Sequence, residues 1–90
     1  MGSRSSVSRF DAARPLSSLK AGTTGVVVRV TRDDAARADR LTALGVTPGA
    51  RVRVLQTFPG IVFLCEETEI AVERTVARTI LVDLAHQPTD

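Results

Sequence analysis

Tryptophan and tyrosine are absent from this chain of 90 residues, which has only three phenylalanines, one cysteine and one histidine. Each shortage closes off a class of function. Proteins that hold single-stranded nucleic acid stack bases on exposed aromatic rings. Here Phe63 falls in the most apolar run and Phe58 just ahead of a turn, so no nucleic-acid partner is expected. A lone Cys65 forms no internal disulfide, which fits a reducing, cytoplasmic setting. The single histidine, His86, stands near the end of the chain, with no serine or cysteine beside it to form a nucleophile–base pair. No apolar run reaches the roughly 18 residues that a membrane helix needs, and the N-terminus lacks the apolar core of a secretory signal. No direct membrane insertion is expected.

Charge of one sign is also missing from the part of the chain that folds. The formal net charge is +2, but Arg4, Arg9, Arg14 and Lys20 against Asp11 already give the first twenty residues +3. The remainder is close to neutral, so the basic isoelectric point does not mark a nucleic-acid face. Arg29, Arg37, Arg40, Arg51 and Arg53 would be the members of a basic strip, yet acidic residues are interspersed and a solvated polar face is the simpler reading.

What is present is a set of short elements with sharp punctuation. Met1 to Arg14 is rich in Ser and Arg and reads as a flexible tail; 15–83 reads as one domain and 84–90 as a second tail. Gly22-Thr23-Thr24-Gly25 opens the strand Val26–Val30, with Val26, Val28 and Val30 expected inward. Thr31 is expected to cap a helix over about residues 33–44, with Asp33 and Asp34 at the positive end of its dipole and Asp33 paired with Arg37. Its small inward face is Ala35, Ala38 and Leu41, extended by Thr42 and Ala43. Leu41 and Leu44 share a helical face, so Leu44 is expected to be buried, and its truncation to alanine to cost ~2–5 kcal/mol.

The stretch Leu41–Ala50 carries the most information. Gly45 sits where a helix end wants a residue tolerant of φ > 0, and Pro48-Gly49 suits the centre of a type II turn. Arg51-Val52-Arg53-Val54 then alternates as a half-buried strand does. Alternation alone leaves open whether Val52, Val54 and Gln56 or Arg53, Leu55 and Thr57 face the core. Leu64 and Leu81 raise the same question in their strands, and together they suggest an apolar surface patch. After a turn at Pro59-Gly60, Ile61–Cys65 is a continuous apolar strand, Glu66-Glu67-Thr68 a polar hairpin, Glu69–Glu73 the returning strand, 74–78 a short helical turn and Thr79–Asp83 the last strand. The fold class expected is mainly β: a small five-stranded SH3-like barrel with one inserted helix.

Candidate chemistry is sparse. Gly22-x-x-Gly25 lacks the spacing and the Lys-Ser/Thr of a phosphate loop, and its glycines fit turn geometry. Glu66, Glu67 and Glu69 read as a solvated hairpin rather than a carboxylate pair. Cys65, Glu66, Glu67, Asp83 and His86 are the only candidates for a divalent transition metal, too few and too scattered to predict a site. No enzyme, cofactor or catalytic residue is expected, and protein recognition is what remains.

The ordered series Leu16-x-x-Leu19-x-x-Gly22-x-x-Gly25-Val26-Val27, Arg40-Leu41-x-x-Leu44-Gly45-Val46-x-Pro48-Gly49-x-x-Val52-x-Val54, Phe58-Pro59, Ile70-Ala71-Val72 and Ala77-x-x-Ile80-x-Val82 resembles the FeoA family over about Pro15 to Asp83. The resemblance implies an SH3-like barrel and an accessory role in bacterial ferrous-iron uptake. It implies a partner too: the cytoplasmic, GTPase-containing part of the transporter FeoB. The chain is also similar to the C-terminal domain of iron-dependent repressors of the DtxR type, which implies an alternative, a metal-sensing or DNA-associated module. Only a fourteen-residue tail precedes the barrel here, so the free-standing FeoA form is the better match. The candidate contact surface is Arg37 and Arg40 on the helix with the turn Phe58-Pro59-Gly60, on a frame set by Leu41, Leu44, Gly45, Pro48 and Gly49. A homo-oligomer through an exposed sheet edge is the other association expected.

Overall fold

The alternation of Arg51-Val52-Arg53-Val54 becomes strand β3 (Arg51–Gln56), with Val52 and Val54 buried and Arg51, Arg53 and Leu55 exposed. That answers the question alternation left open: the valines face the core. The computed structural model describes residues 13–84. Around β3 it places β1 (Ala13–Pro15), a 3₁₀ turn (Leu16–Ser18), β2 (Thr24–Val30), helix α1 (Ala35–Ala43), β4 (Ile61–Cys65), β5 (Thr68–Val72), the short helix α2 (Arg74–Ala77) and β6 (Ile80–Asp83). The six strands form one antiparallel sheet in the order β1-β6-β2-β3-β4-β5. Among the described residues no helix is long and apolar enough to cross a membrane.

Helix α1 begins two residues later than the expected start near 33. Asp34, not Thr31, is the N-cap: its Oδ1 accepts from the Arg37 N–H at 3.1 Å, while the Thr31 hydroxyl donates to Asp33 at 3.1 Å. A carboxylate cap accepts a charge-assisted bond, and this one wins over the hydroxyl. The expected Asp33–Arg37 pair is replaced by Asp34–Arg37 at 3.7 Å, with Arg32–Asp39 at 3.0 Å beside it. The inward face of α1 is narrower than the run of small residues suggested. Ala38 and Leu41 are buried, while Ala35, Thr42 and Ala43 are exposed.

The helix ends in a complete Schellman motif. Val46 N–H donates to the Leu41 carbonyl and Gly45 N–H to the Thr42 carbonyl, both at 2.9 Å, with Gly45 at φ +99°. The hydrophobic contact of that motif joins Val46 to Leu41, 0% and 3% exposed. Leu44, expected in the core, is 47% exposed. The reason is geometric: Leu44 is the C-cap residue, where the chain leaves the helix, and the turn back through Gly45 buries Val46 instead. Thr47 to Ala50 then form a turn closed at 2.9 Å, with Gly49 at φ +93° as a type II turn requires. Gly49 N–H donates to the Val27 carbonyl, and Val27 N–H to the Ala50 carbonyl, both at 2.8 Å. The turn is therefore stitched to β2 before β3 begins.

In β2 the inward residue is Val27, 1% exposed, rather than Val26, Val28 and Val30 together. A bulge between Val27 and Arg29 puts an extra residue in the strand, so Val27 and Val30, three apart, both reach the core. Strand β4 alternates buried and half-buried, with Ile61, Phe63 and Cys65 inward and Val62 and Leu64 on the outer face. The sheet has six strands and not five because Ala13 and Arg14, expected in the tail, pair with Asp83 and Val82. Leu84, expected in the second tail, packs against the core. The rest of both expected tails, 1–12 and 85–90, lies outside the described residues. Gly25 crosses β6 closely enough that a Cβ there would lie 2.5 Å from the Val82 side chain.

Truncating the buried partner should therefore hurt where truncating the exposed one does not. Leu41→Ala is expected to lower the unfolding free energy by ~2–5 kcal/mol and Leu44→Ala by less than about 1 kcal/mol, measured by urea denaturation. Gly49→Val forces a β-branched residue to positive φ and should cost about 1–3 kcal/mol in the same experiment.

Candidate functional site

Two grooves open beside β5, and they share a wall. The first, of about 420 Å³, lies between α1 and β5. Asp34, Arg37, Arg40, Leu41 and Leu44 line it on the helix side, and Ala71, Val72, Glu73 and Val76 on the other. The second, of about 510 Å³, is lined by Gln56 and Val62 of the outer sheet face, by Pro59, Gly60 and Ile61, and by Arg74 of α2. It ends on the same Ala71, Val72 and Glu73. Among the described residues strand β5 pairs on one side only, with β4, from Cys65↔Thr68 to Ile61↔Val72.

The first groove is apolar at its base and charged at its rim. Leu41 is buried and Leu44 half out, with Val72 and Val76 partly buried opposite. Arg37 is held by the same Asp34 that caps the helix, at 3.7 Å. Arg40 and Glu73 make no ion pair among the described residues. The last helical turn is where a cation is favoured by the helix dipole, which explains why Arg40 is tolerated there without a carboxylate.

Of the residues expected at the contact surface, Arg37 and Arg40 lie on the first groove and Pro59 and Gly60 on the second. The structure brings the two pairs together only through the end of β5. Phe58 is 80% exposed at the β3–β4 turn, joined to Pro59 by a cis peptide bond, and lines neither groove. Arg74 anchors this corner: its guanidinium donates to the carbonyls of Thr57 and Ser17, tying α2 to the end of β3 and to the 3₁₀ turn. Leu55, 39% exposed, and the half-buried Leu64 and Leu81 face outward, as the alternation of their strands allowed. Ala71, Val72, Glu73 and Val76 were not singled out by sequence as contact residues. The signal was present in Glu69-Ile70-Ala71-Val72-Glu73, an alternation with acidic residues on its outer face, but nothing local to it says that the strand is an edge.

The metal candidates disperse. Glu66 is committed to β3: its Oε2 accepts from Arg51 N–H at 2.9 Å while its own N–H donates to the Arg51 carbonyl at 2.8 Å. Cys65 is buried and its thiol donates to the Gly45 carbonyl at 3.4 Å. Asp83 is buried on β6. Among the described residues no three His, Cys, Asp or Glu side chains gather where one ion would reach them, and His86 lies outside those residues.

A mainly β sheet with one inserted helix and a tight helix-to-strand junction defines a small SH3-like domain. The model of the FeoA domain matches residues 14–84, and the chain belongs to the FeoA family, small accessory domains associated with ferrous-iron transport. Similar solved structures include an iron uptake regulatory protein (FeoA), 30% identical, with a TM-score of 0.70 over 79% of this chain and 96% of that one. FeoA of Stenotrophomonas maltophilia, solved with zinc and described as a prokaryotic SH3-domain protein, is 29% identical, with a TM-score of 0.71 over 78% and 89% of the two chains. A manganese-dependent transcriptional repressor shares the fold at 24% identity and a TM-score of 0.79; the match covers 92% of this chain but only 47% of the repressor. The search of curated proteins finds no match.

Burial, with the nearby Glu66 carboxylate, pushes the Cys65 thiol above its ordinary value. The folded state thus holds this proton more tightly than the unfolded chain, and stability should fall as pH rises through the ordinary thiol value of about 8.5–9. Urea midpoints at pH 7 and pH 10 should differ in that direction for the native protein, and by less for Cys65→Ala.

Proposed function

We propose that this protein is a non-enzymatic regulator of bacterial ferrous-iron uptake. It works in the cytoplasm, docking on the cytoplasmic, GTPase-containing part of a FeoB-type transporter and tuning GTP-dependent transport. The observation that carries this reading is the groove between α1 and β5, where a half-exposed Leu44 and an Arg40 that makes no ion pair among the described residues sit on the rim of a cleft based on Leu41, Val72 and Val76. An aliphatic side chain beside a cation is the composition of an interface anchor, since burying the one removes apolar surface from water and pairing the other fixes orientation. Membership of the FeoA family supports iron uptake as the setting. The helix wall of the groove is held at one end by the Asp34 cap and at the other by the Schellman bonds.

A second reading is favoured by one observation, the shared fold with the manganese-dependent repressor. In that reading the barrel senses metal or accompanies a DNA-binding protein. Calorimetric titration of the chain with Fe(II) and Mn(II) separates the two: tight, stoichiometric binding would move the assignment to the sensor.

The docking reading is tested by titrating isotopically labelled protein with the transporter's cytoplasmic domain, with and without a GTP analogue. Amide shifts confined to Arg37, Arg40, Leu44, Val72 and Glu73 are expected, and Arg40→Glu should weaken binding about fivefold to tenfold. An unchanged spectrum at roughly 0.5 mM partner would overturn it.

A further inference from the structure

The two edges of the sheet are not alike. Strand β1 ends in Pro15, which has no N–H to donate, the kind of blunted edge that discourages further pairing. Strand β5 is five residues long, regular, and without proline. Its hairpin closes on the pair Cys65↔Thr68 around the two-residue turn Glu66-Glu67, so hydrogen-bonded pairs recur at Phe63↔Ile70 and Ile61↔Val72. The main-chain N–H and C=O of Glu69 and Ala71 consequently point away from β4, toward the open side. A strand laid along them would alternate its side chains between the two faces of the sheet, and both grooves border the end of β5, one beside α1 and one beside Val62.

We propose that β5 is a strand-addition site for an extended segment of another protein, one that alternates aliphatic residues, which enter the groove against α1, with Lys or Arg, which face Glu69 and Glu73. Charge selects this occupant. Glu69 and Glu73 stand on the outer face with the small, exposed Ala71 between them, and neither carboxylate has an ion pair among the described residues. Basic residues across the strand boundary would pair with both. A second copy of this chain is disfavoured by the same residues: antiparallel β5–β5 pairing centred on Ala71 places Glu69 of each copy opposite Glu73 of the other, two like-charge pairs. On the inner face Leu41, Leu44, Val72 and Val76 offer apolar walls inside a rim that carries Asp34, Arg37 and Arg40, and 420 Å³ admits aliphatic side chains between them. This is the strand-addition mode, in which main-chain bonds supply affinity and alternate pockets supply specificity. The inference deepens the docking reading and rests on it only for who the partner is.

The probe is a synthetic six-residue peptide, acetyl-Lys-Leu-Lys-Val-Lys-Leu-amide, with its Glu-for-Lys counterpart, titrated into the isotopically labelled full chain. The basic peptide is expected to slow hydrogen exchange of the Glu69 and Ala71 amides and to shift Leu44 and Val76. The double variant Glu69→Lys/Glu73→Lys should bind it about tenfold more weakly and the acidic peptide correspondingly better. Ala71→Pro removes an outward N–H that the β4 ladder does not use, so it should keep the native spectrum and lose the peptide. Equal affinity for the two peptides, binding that leaves the Glu69 and Ala71 amides unprotected, or a dimer in light scattering that Glu69→Lys/Glu73→Lys abolishes would each overturn the proposal. If the basic peptide protects β5 while the transporter domain shifts nothing, the strand site stands and the transporter assignment fails. If the transporter domain shifts α1 and leaves β5 exchange unchanged, the reverse holds.

Discussion

The hydrogen bond from Val46 N–H to the Leu41 carbonyl is the constraint from which the rest of the arrangement follows. It closes α1 with Gly45 in the left-handed region, turns the chain back, and places Val46 against Leu41 inside the core. The chain then enters the Thr47–Ala50 turn, whose Gly49 and Ala50 bond Val27 of β2 on both its N–H and its C=O. The register of β2 against β3 is therefore set from the helix end, through five residues, and not by the strands alone. Cys65 completes the arrangement from the other side, its thiol on the Gly45 carbonyl, so that β4 is tied to the same point. Any residue other than glycine at 45 or 49 would work against backbone conformation at the place where helix, turn and two strands meet.

The same constraint explains what was legible in the sequence and what was not. Gly45, Pro48 and Gly49 are visible because positive φ has a strong residue signature, and β3 is visible because alternation has one. Leu44 misled because helical periodicity continues through a C-cap on paper while the chain itself has already turned; the residue that packs is Val46, two positions on. Val27 misled because a bulge changes the phase of a strand without leaving a mark in a run of four valines and one arginine. Strand β1 was missed because three residues ending in proline carry no period at all, and only pairing with β6 makes them a strand. The candidate site was legible in part. Arg37, Arg40, Pro59 and Gly60 do line the grooves beside β5. Their common wall was not legible, because being an edge is a property of the whole sheet order and not of the strand.

The sheet order also explains why the groove residues and the core residues are different ones. The buried side of β4 and β6 carries Ile61, Phe63, Ile80 and Val82, each fully buried and each contributing ~1.5–3 kcal/mol of transfer free energy. The residues around the grooves contribute little of this: Arg40, Leu44, Ala71 and Glu73 are exposed, and the ion pairs of α1 are surface pairs of small value. Change at the grooves is thus cheap for the fold, whereas change at the Leu41–Val46 junction is not.

The proposed docking depends on a surface that folding has already ordered. Association always costs translational and rotational freedom, and side chains or loops that must order on binding add to that cost. Here the helix wall is capped at both ends, and Arg74 holds the corner at Thr57 and Ser17. The hairpin turn is braced by the paired bonds between Glu66 and Arg51. What remains open is a strip of main chain on β5 with acidic side chains facing out. Those carboxylates suppress pairing with another copy of the same strand and leave the strip available to a segment of opposite charge. In the proposed mode a single feature, two glutamates flanking Ala71 on an unblunted edge, serves both solubility and selectivity, so that the charge of this otherwise near-neutral domain matters more by position than by sum.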